Sequence, residues 1–353
     1  MKRGTKAQLA LLFLALACLI GVVTALIVNS IVTNQIIYEA QERVREHLSS
    51  ARWVYESKVR DIEKVIRWTS IRHVLKDGIK RKNISVIKRE MMALMSEEGL
   101  DFLTLVDRNG GVLFRFHNPE VSGDSLFQDP FIKVALGKKG LSGTQVLSGE
   151  ELLKEGKSLA QKAIIASIPT PKEKPSSKVE ETAGMIMKAA YPVLDFNGEV
   201  LGALTGGVLL NRNYEVVDRI KDIVFKDAKY KGKEIGTATI FLGDLRISTN
   251  VKDKEGNRAV GTRAMKEVQE QVLGKGSPWI QRAFVVDDWY ITAYEPIVDV
   301  ENKIVGMLYV GMMESKYAHM KERLILLFFL FSMSGMLFAF AISFALSWKI
   351  FKK

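Results

Sequence analysis

The sequence predicts an α+β ectodomain: two antiparallel-sheet units in tandem, behind a long helix and bracketed by two transmembrane helices. Three observations lead there. Apolar runs from Leu9 to Val28 and from Leu324 to Trp348 stand near the two ends of the 353-residue chain. Each reaches the roughly 20 residues that a helix needs to cross a hydrocarbon core. From Ile36 to about Leu75, apolar residues recur three or four apart with no Pro or Gly between them, which is a helical pattern. Finally, a stretch of alternating residues occurs twice in the chain, in the same order.

The basic flanks set the orientation. Lys2, Arg3 and Lys6 precede the first run, and Lys349, Lys352 and Lys353 follow the second. Short basic flanks stay cytoplasmic, while a long segment between spans crosses regardless of its own charge. Both termini are therefore expected in the cytoplasm and residues 34–320 outside the inner membrane. The first run is longer than the roughly 7–15 residues of a signal-peptide core and lacks an A-x-A site, so an uncleaved anchor is expected. Trp348 beside Lys349 suits the membrane interface.

The expected organisation follows. Residues 1–33 are the basic flank and first span. Residues 34–98 hold the long helix and a second one, Ile84 to Met95, capped by Asn83. Residues 99–211 form a first sheet unit. Its hairpin Asp101 to Val106 and Val112 to His117 turns at Asn109-Gly110, and a Pro-led helix follows at Pro130 to Leu136. Strands Met185 to Val193 and Val200 to Leu210 close that unit through Asn197-Gly198. Within the irregular 150–184 segment, Pro169 to Thr182 is rich in Pro, Lys, Glu and Ser and reads as a mobile surface loop. Residues 212–229 are a connecting helix with Asn211 or Asn213 as cap. Residues 230–320 form the second unit, and 321–353 the second span and tail.

The repeat aligns without a gap. Pro192 matches Pro296, Asp195 matches Asp299, Gly202 matches Gly306, Leu204 matches Leu308 and Gly207 matches Gly311. Upstream, Arg115-Phe116-His117-Asn118 pairs with Arg246-Ile247-Ser248-Thr249-Asn250, and Leu136-Gly137-Lys138 with Leu273-Gly274-Lys275. Each unit then reads as an antiparallel sheet with short helices after its second strand.

Composition excludes several function classes. The net charge is +11, but no basic cluster alternates with aromatics, so nucleic acid is not an expected partner. The single cysteine, Cys18, lies in the first span, so the ectodomain relies on its core without disulfides. The four histidines, His47, His73, His117 and His319, show no metal-ligand spacing. No G-x-S-x-G elbow or Walker-type GK[ST] occurs. Catalysis, a metal and a cofactor are therefore not expected.

The long membrane-proximal helix and tandem PAS-like units resemble the double Cache sensor domain of bacterial histidine kinases and chemoreceptors. The residues that carry the likeness are Gly261-Thr262-Arg263, Arg282 to Val286, Trp289 to Ile297, and Gly306-Met307-Leu308-Tyr309-Val310-Gly311. The resemblance implies a two-pass sensor of the cytoplasmic membrane that binds a small molecule outside and signals inside, as two-component and chemotaxis receptors do. Up to Lys353 the sequence shows neither a kinase core nor a chemoreceptor hairpin. The expectation is a fragment of a longer receptor, or a chain with a separate cytoplasmic signalling partner. The paired long helices imply a homodimer.

Candidate ligand residues follow from strand positions. Arg115 and His117 are two apart and share a face, Asn118 follows, and Asp124 and Ser125 open the next loop. Cationic and donor groups beside a Gly-containing loop suit a carboxylate, and a solvent-exposed polar face would show the same pattern. Lys188 adds a third cation, although strand lysines usually face water. Tyr191 lines the same pocket or fills core. In the second unit Arg282, Trp289, Tyr290 and Tyr294 read either as an aromatic pocket with one cation or as core packing, and Arg263 either as an anchor from the helix side or as a solvent-facing residue. The alternative is a two-span envelope scaffold, similar to polysaccharide co-polymerases, without ligand sensing. Such a protein is expected to be helix-rich rather than built from duplicated sheets.

Overall fold

The structure, a computed structural model, describes residues 3–81, 84–226, 229–230 and 233–350. The proposed Asn83 cap and the flanking Lys2, Lys352 and Lys353 lie outside them. The chain divides into two compact units, Met1–Arg43 with Met313–Lys353, and Val44–Met312.

Helix α1 runs without interruption over Arg3–Ser70. Its early apolar side chains, such as Leu19, Val22, Leu26 and Ile31, are exposed. Further on, Val44, Leu48, Ala51, Val54, Ile62 and Ile66 are buried at helical spacing. The helix stops where the Thr69 hydroxyl donates to the Val65 carbonyl at 2.6 Å and the Ser70 hydroxyl to that of Arg67 at 2.8 Å. Two shorter helices follow, α2 (His73–Lys80) and α3 (Ile84–Glu97).

The first sheet uses β1 (Phe102–Asp107), β2 (Val112–Arg115), β3 (Leu141–Leu147) and two long strands named below. Helix α4 (Pro130–Leu136) precedes β3, and α5 (Gly149–Glu155) and α6 (Lys157–Ala163) follow it. Short strands β4 (Ile165–Ala166) and β5 (Glu180–Glu181) pair with each other. The long strands are β6 (Gly184–Leu194) and β7 (Val200–Leu209). The second sheet comes after α7 (Glu215–Ile220), a π-helical turn at Lys221–Phe225, and the two-residue strands β8 (Lys229–Tyr230) and β9 (Lys233–Glu234). It contains β10 (Gly236–Leu242), β11 (Leu245–Thr249), β12 (Trp279–Val285), β13 (Asp288–Val298) and β14 (Ile304–Met313), with the short helix α8 (Lys266–Gln269) before β12. Helix α9 (Glu314–Ile350) starts directly after β14.

Both sheets have five strands. Their orders are β2-β1-β7-β6-β3 and β11-β10-β14-β13-β12, one pattern used twice. Gly202 opposes Asp107 and Gly306 opposes Leu242. A Cβ on Gly202 would overlap the Val106 carbonyl oxygen, and one on Gly306 the matching oxygen of Phe241. Both copies therefore need glycine here for close strand approach. The closing turns are also built alike. The Asp195 side chain accepts from the amides of Asn197 and Glu199, and Asp299 accepts from those of Glu301 and Lys303. Asn302 takes positive φ where Gly198 does in the first copy.

The upstream pairing of Arg115 with Arg246 is corrected by the register. The bulge falls at Leu105/Val106 in one sheet and at Ile240/Phe241 in the other. Arg115 opposes Thr104, but Arg246 opposes Phe241, the equivalent of Val106. Arg246 thus stands where Val112 does, and Thr249 where Arg115 does.

The 169–182 segment is not a free loop. The Ile168 amide donates to the Gly261 carbonyl at 2.8 Å, and the Lys266 amide to that of Lys172 at 2.9 Å. This strap crosses the second sheet unit. The φ of +93° at Gly261, and the Ala166 carbonyl that a Cβ there would overlap, show how closely the two backbones pass. Composition pointed to mobility; backbone pairing with another unit overrides it. Asn211 also has a different role from the expected cap. It is buried, accepting from the Met185 amide and donating to the carbonyls of Ala163 and Ala183, while Asn213 accepts from the Glu215 amide. From the β13–β14 turn, Val300 packs on the first sheet's cluster of Phe131, Ile132 and Ala190, over Gly143.

Candidate functional site

On the first sheet, one face meets α1, where Ile66 lies against Leu103 at the closest approach to Gly206. The opposite face carries two apolar clusters. One gathers Phe102, Leu152, Leu159 and Ile186 under α5 and α6, and the other gathers Val106, Phe131, Ile132 and Ala203 under α4. Thr104, Arg115, Lys188 and Thr205 are buried as a polar seam across this sheet.

Arg115 is 1% exposed, and its guanidinium is fully engaged. Its Nε donates to Glu155 Oε1 at 2.9 Å, and its Nη1 and Nη2 donate to the two Asp124 oxygens at 2.6 and 3.0 Å. Thr104 Oγ1 donates to the other Glu155 oxygen at 2.6 Å. The fork from Arg115 holds the Asp124 carboxyl below the usual carboxylate range. His117 Nε2 lies 2.9 Å from Ser158 Oγ, and Asn118 Nδ2 donates to the Lys154 carbonyl at 2.8 Å. Arg115, His117, Asn118 and Asp124 therefore converge on the α5–α6 pair. Ser125 sits apart and accepts from the Phe127 amide.

Lys188 does not face water. Its Nζ donates to Asp129 Oδ2 at 2.5 Å and Gln145 Oε1 at 3.0 Å, and lies 4.9 Å from the Phe131 ring centroid. The other Asp129 oxygen caps α4 by accepting from the Phe131 amide at 2.9 Å. An acid at a helix start thus neutralises a lysine on the sheet. Tyr191 lies on the α1 side, where its hydroxyl donates to Glu63 Oε1 at 2.6 Å.

The second sheet is different. Arg246 is 1% exposed, and no carboxylate lies within ion-pair distance of it among the described residues. Its Nη1 donates to Thr262 Oγ1, while its Nε has no hydrogen-bond partner. The guanidinium carbon sits 5.0 Å from the Phe241 ring centroid. Around it stand Tyr290, Tyr294 and Tyr309, with the rings of Tyr294 and Tyr309 4.6 Å apart. Burial pushes the Tyr290 hydroxyl up to about 12 and those of Tyr294 and Tyr309 upward too. Burial also lowers Arg246, since a desolvated cation is disfavoured.

The expected four-residue pocket is divided by strand alternation. Tyr290 and Tyr294 share the Arg246 face. Arg282, opposite Ile291, and Trp289, opposite Phe284, lie on the other face. There Arg282 stacks 4.0 Å from the Trp289 ring centroid, and Lys172 from the strap reaches the same ring at 4.9 Å. Arg263 clamps the strap, donating to Asp244 Oδ1 at 2.5 Å and to Ser167 Oγ at 3.1 Å. Burial raises the Asp244 carboxyl in spite of Arg263. Thr262, next to Arg263, links this clamp to Arg246.

Arg246 was missed as a site residue. In Leu245-Arg246-Ile247-Ser248 the alternation resembles a half-exposed strand, so a buried arginine is not visible in the pattern. Helices α5 and α6 were missed too, although Ser148 and Glu151 spell the capping box that starts α5. Among the described residues, no cluster of His, Cys, Asp or Glu is arranged to hold a metal ion.

Residues 208–324 match the family model for single Cache domain 3. That stretch is similar to a Cache domain. The matched stretch includes Arg246, the three tyrosines and the start of α9. No curated protein matches the sequence. Among solved structures, the periplasmic domain of Vibrio cholerae LuxQ is similar at 12% identity and TM-score 0.41, covering 76% of this chain and 99% of that one. The sensor domain of the V. cholerae histidine kinase DctB is similar at 13% and 0.43, covering 78% and 98%. The ligand-binding domain of the Pseudomonas aeruginosa PAO1 amino acid chemoreceptor PctB, in complex with L-Arg, is similar at 12% and 0.36, covering 80% and 97%.

Proposed function

We propose that the chain is the input part of a receptor of the cytoplasmic membrane, and that its Cache segment binds a small carboxylate at Arg246. The carrying observation is the buried guanidinium, which has no counter-ion among the described residues. An isolated buried charge costs several kcal/mol, and a ligand carboxylate would supply the missing acceptor. Arg115 is the weaker candidate because Glu155 and Asp124 already satisfy it. The family match supports a sensing role.

Membrane anchoring has physical support at both helices. Among the described residues, one helix has a stretch long and apolar enough to cross a membrane, within Leu19–Ser70. In α9, Leu326, Leu327, Phe329, Leu330 and Phe331 are exposed, a surface costly in water and suited to lipid. On this reading both termini are cytoplasmic, the chain works as a homodimer, and a cytoplasmic signalling module receives the output. A ligand that prefers one state of the sheet displaces β14, and α9 follows by about 1–2 Å.

The test uses the full chain in nanodiscs, titrated calorimetrically with a panel of small mono- and dicarboxylates. At least one should bind, raise the melting temperature, and lose more than tenfold in affinity in Arg246→Gln. A panel without a binder, or binding untouched by Arg246→Gln, would reject the site. For topology, cysteines placed at positions 35 and 349 in a Cys18→Ser background should be labelled from opposite sides.

A further inference from the structure

A cavity lies on the α1 side of the sheets, and Arg246 is not among its lining residues. It has a volume of about 610 Å³ and is walled by α1, β3 and the β13–β14 arm. Pockets of about 300–1,000 Å³ between structural units typically hold small molecules through apolar walls and a few placed polar groups. Here Tyr55, Val59, Pro278 and Val298 supply apolar wall. The buried charge is Glu295, whose side chain is 7% exposed. Its partner Arg52 on α1 forks onto both carboxylate oxygens but is 53% exposed.

We propose that this cavity binds an organic cation, an amine or guanidine with a compact apolar body, whose charged group takes the place of Arg52 at Glu295. Three observations converge. The acid is the buried member of the pair, so the cavity selects positive charge. The cation that now neutralises it comes from the solvent side and can leave without opening the core. A second acceptor also awaits that cation: Glu56, one turn along α1, acts electrostatically on Arg52 and holds Arg60 only at 3.4 Å. The ladder of Arg60, Glu56, Arg52 and Glu295 therefore shifts by one step, and no charge is stranded. The exchange also releases α1 from β13, since the Arg52–Glu295 pair ties the two together. This inference stands on its own geometry and does not depend on the ligand reading at Arg246.

The experiment titrates the full chain in nanodiscs with benzylamine, and with benzyl alcohol and benzoate as neutral and anionic matches. Benzylamine should bind at least tenfold more tightly than either. Glu295→Gln should weaken it more than tenfold, while Arg52→Ala, by removing the competitor, should strengthen it severalfold. Val59→Trp fills the cavity from the helix without touching a buried charge and should abolish binding. Arg246→Met should leave it unchanged. Failure of benzylamine to bind, equal binding of benzyl alcohol, unchanged binding in Glu295→Gln or Val59→Trp, weaker binding in Arg52→Ala, or loss in Arg246→Met would each overturn the proposal.

Discussion

Tyr191 and Glu295 hold the same position in their two sheets, each one residue before the matching prolines Pro192 and Pro296, and both bond to α1. Tyr191 donates to Glu63 at 2.6 Å, and Glu295 accepts from Arg52. Glu63 and Arg52 are eleven residues apart on that helix, about 16 Å at a 1.5 Å rise. One rod is thus tied to two copies of one sheet by polar contacts of opposite design, an acid on the helix in one case and on the strand in the other.

Removing the first tie has a modest expected cost. Tyr191→Phe should destabilise by about 1 kcal/mol, the net worth of one hydrogen bond. The Tyr191 hydroxyl is pushed up to about 12 by burial and by Glu63, above its ordinary value of 10.0. Its folded pKa is raised, so its contribution is complete below pH 10 and is lost as pH climbs through about 12. Melting curves between pH 9 and 12 should show a steeper alkaline decline in the wild type than in Tyr191→Phe.

Arg115 and Arg246 should respond oppositely to truncation. Arg115→Met strands the buried Glu155 carboxylate and should cost about 3–5 kcal/mol. Arg246→Met removes a cation that has no counter-ion among the described residues and should leave the ligand-free protein as stable as before, or more stable by about 1–3 kcal/mol. Urea unfolding of the two variants in the absence of ligand checks this. A large loss in Arg246→Met would show that the guanidinium is already compensated.

Acid should act through Asp124. The Arg115 fork depresses its pKa from 3.8, so its contribution is present above that value and disappears as pH falls through the lower folded value. Asp124→Asn should be less stable at neutral pH and should lose less on further acidification. Unfolding midpoints from pH 7 to 2 measure the difference in slope.

The strap offers a local readout. Arg263→Ala removes its bonds to Ser167 and Asp244. Limited proteolysis at the lysines of 172–178 should then accelerate about tenfold, which corresponds to about 1.4 kcal/mol of easier local opening. An unchanged cleavage rate would mean that backbone pairing alone secures the strap.

Much of the fold was legible because it rests on short-range rules. Asp195 and Asp299 announce their turns, Pro130 opens its helix, and Gly202 and Gly306 mark the same strand crossing. The site was less legible because its character depends on what lies across the sheet. Arg115 and Arg246 look alike in sequence, yet one meets two carboxylates brought from 9 and 40 residues away and the other meets three tyrosines. Lys188 is buried because Asp129 happens to cap a helix above it. Strap residues 169–182 have the composition of a free loop, and it is their partners across the chain, from Gly261 beside Ile168 to Lys266 beside Lys172, that give them a fixed path.

Val300 has one more implication. It sits in the turn between β13 and β14 but completes the apolar cluster of the other sheet unit, over Gly143. A piece excised at 208 and 324, where the family match begins and ends, would carry an orphaned hydrophobic tip and leave a hole behind in its neighbour. Kinship divides this molecule at one seam and cohesion at another, so the halves should be purified and crystallised as a whole.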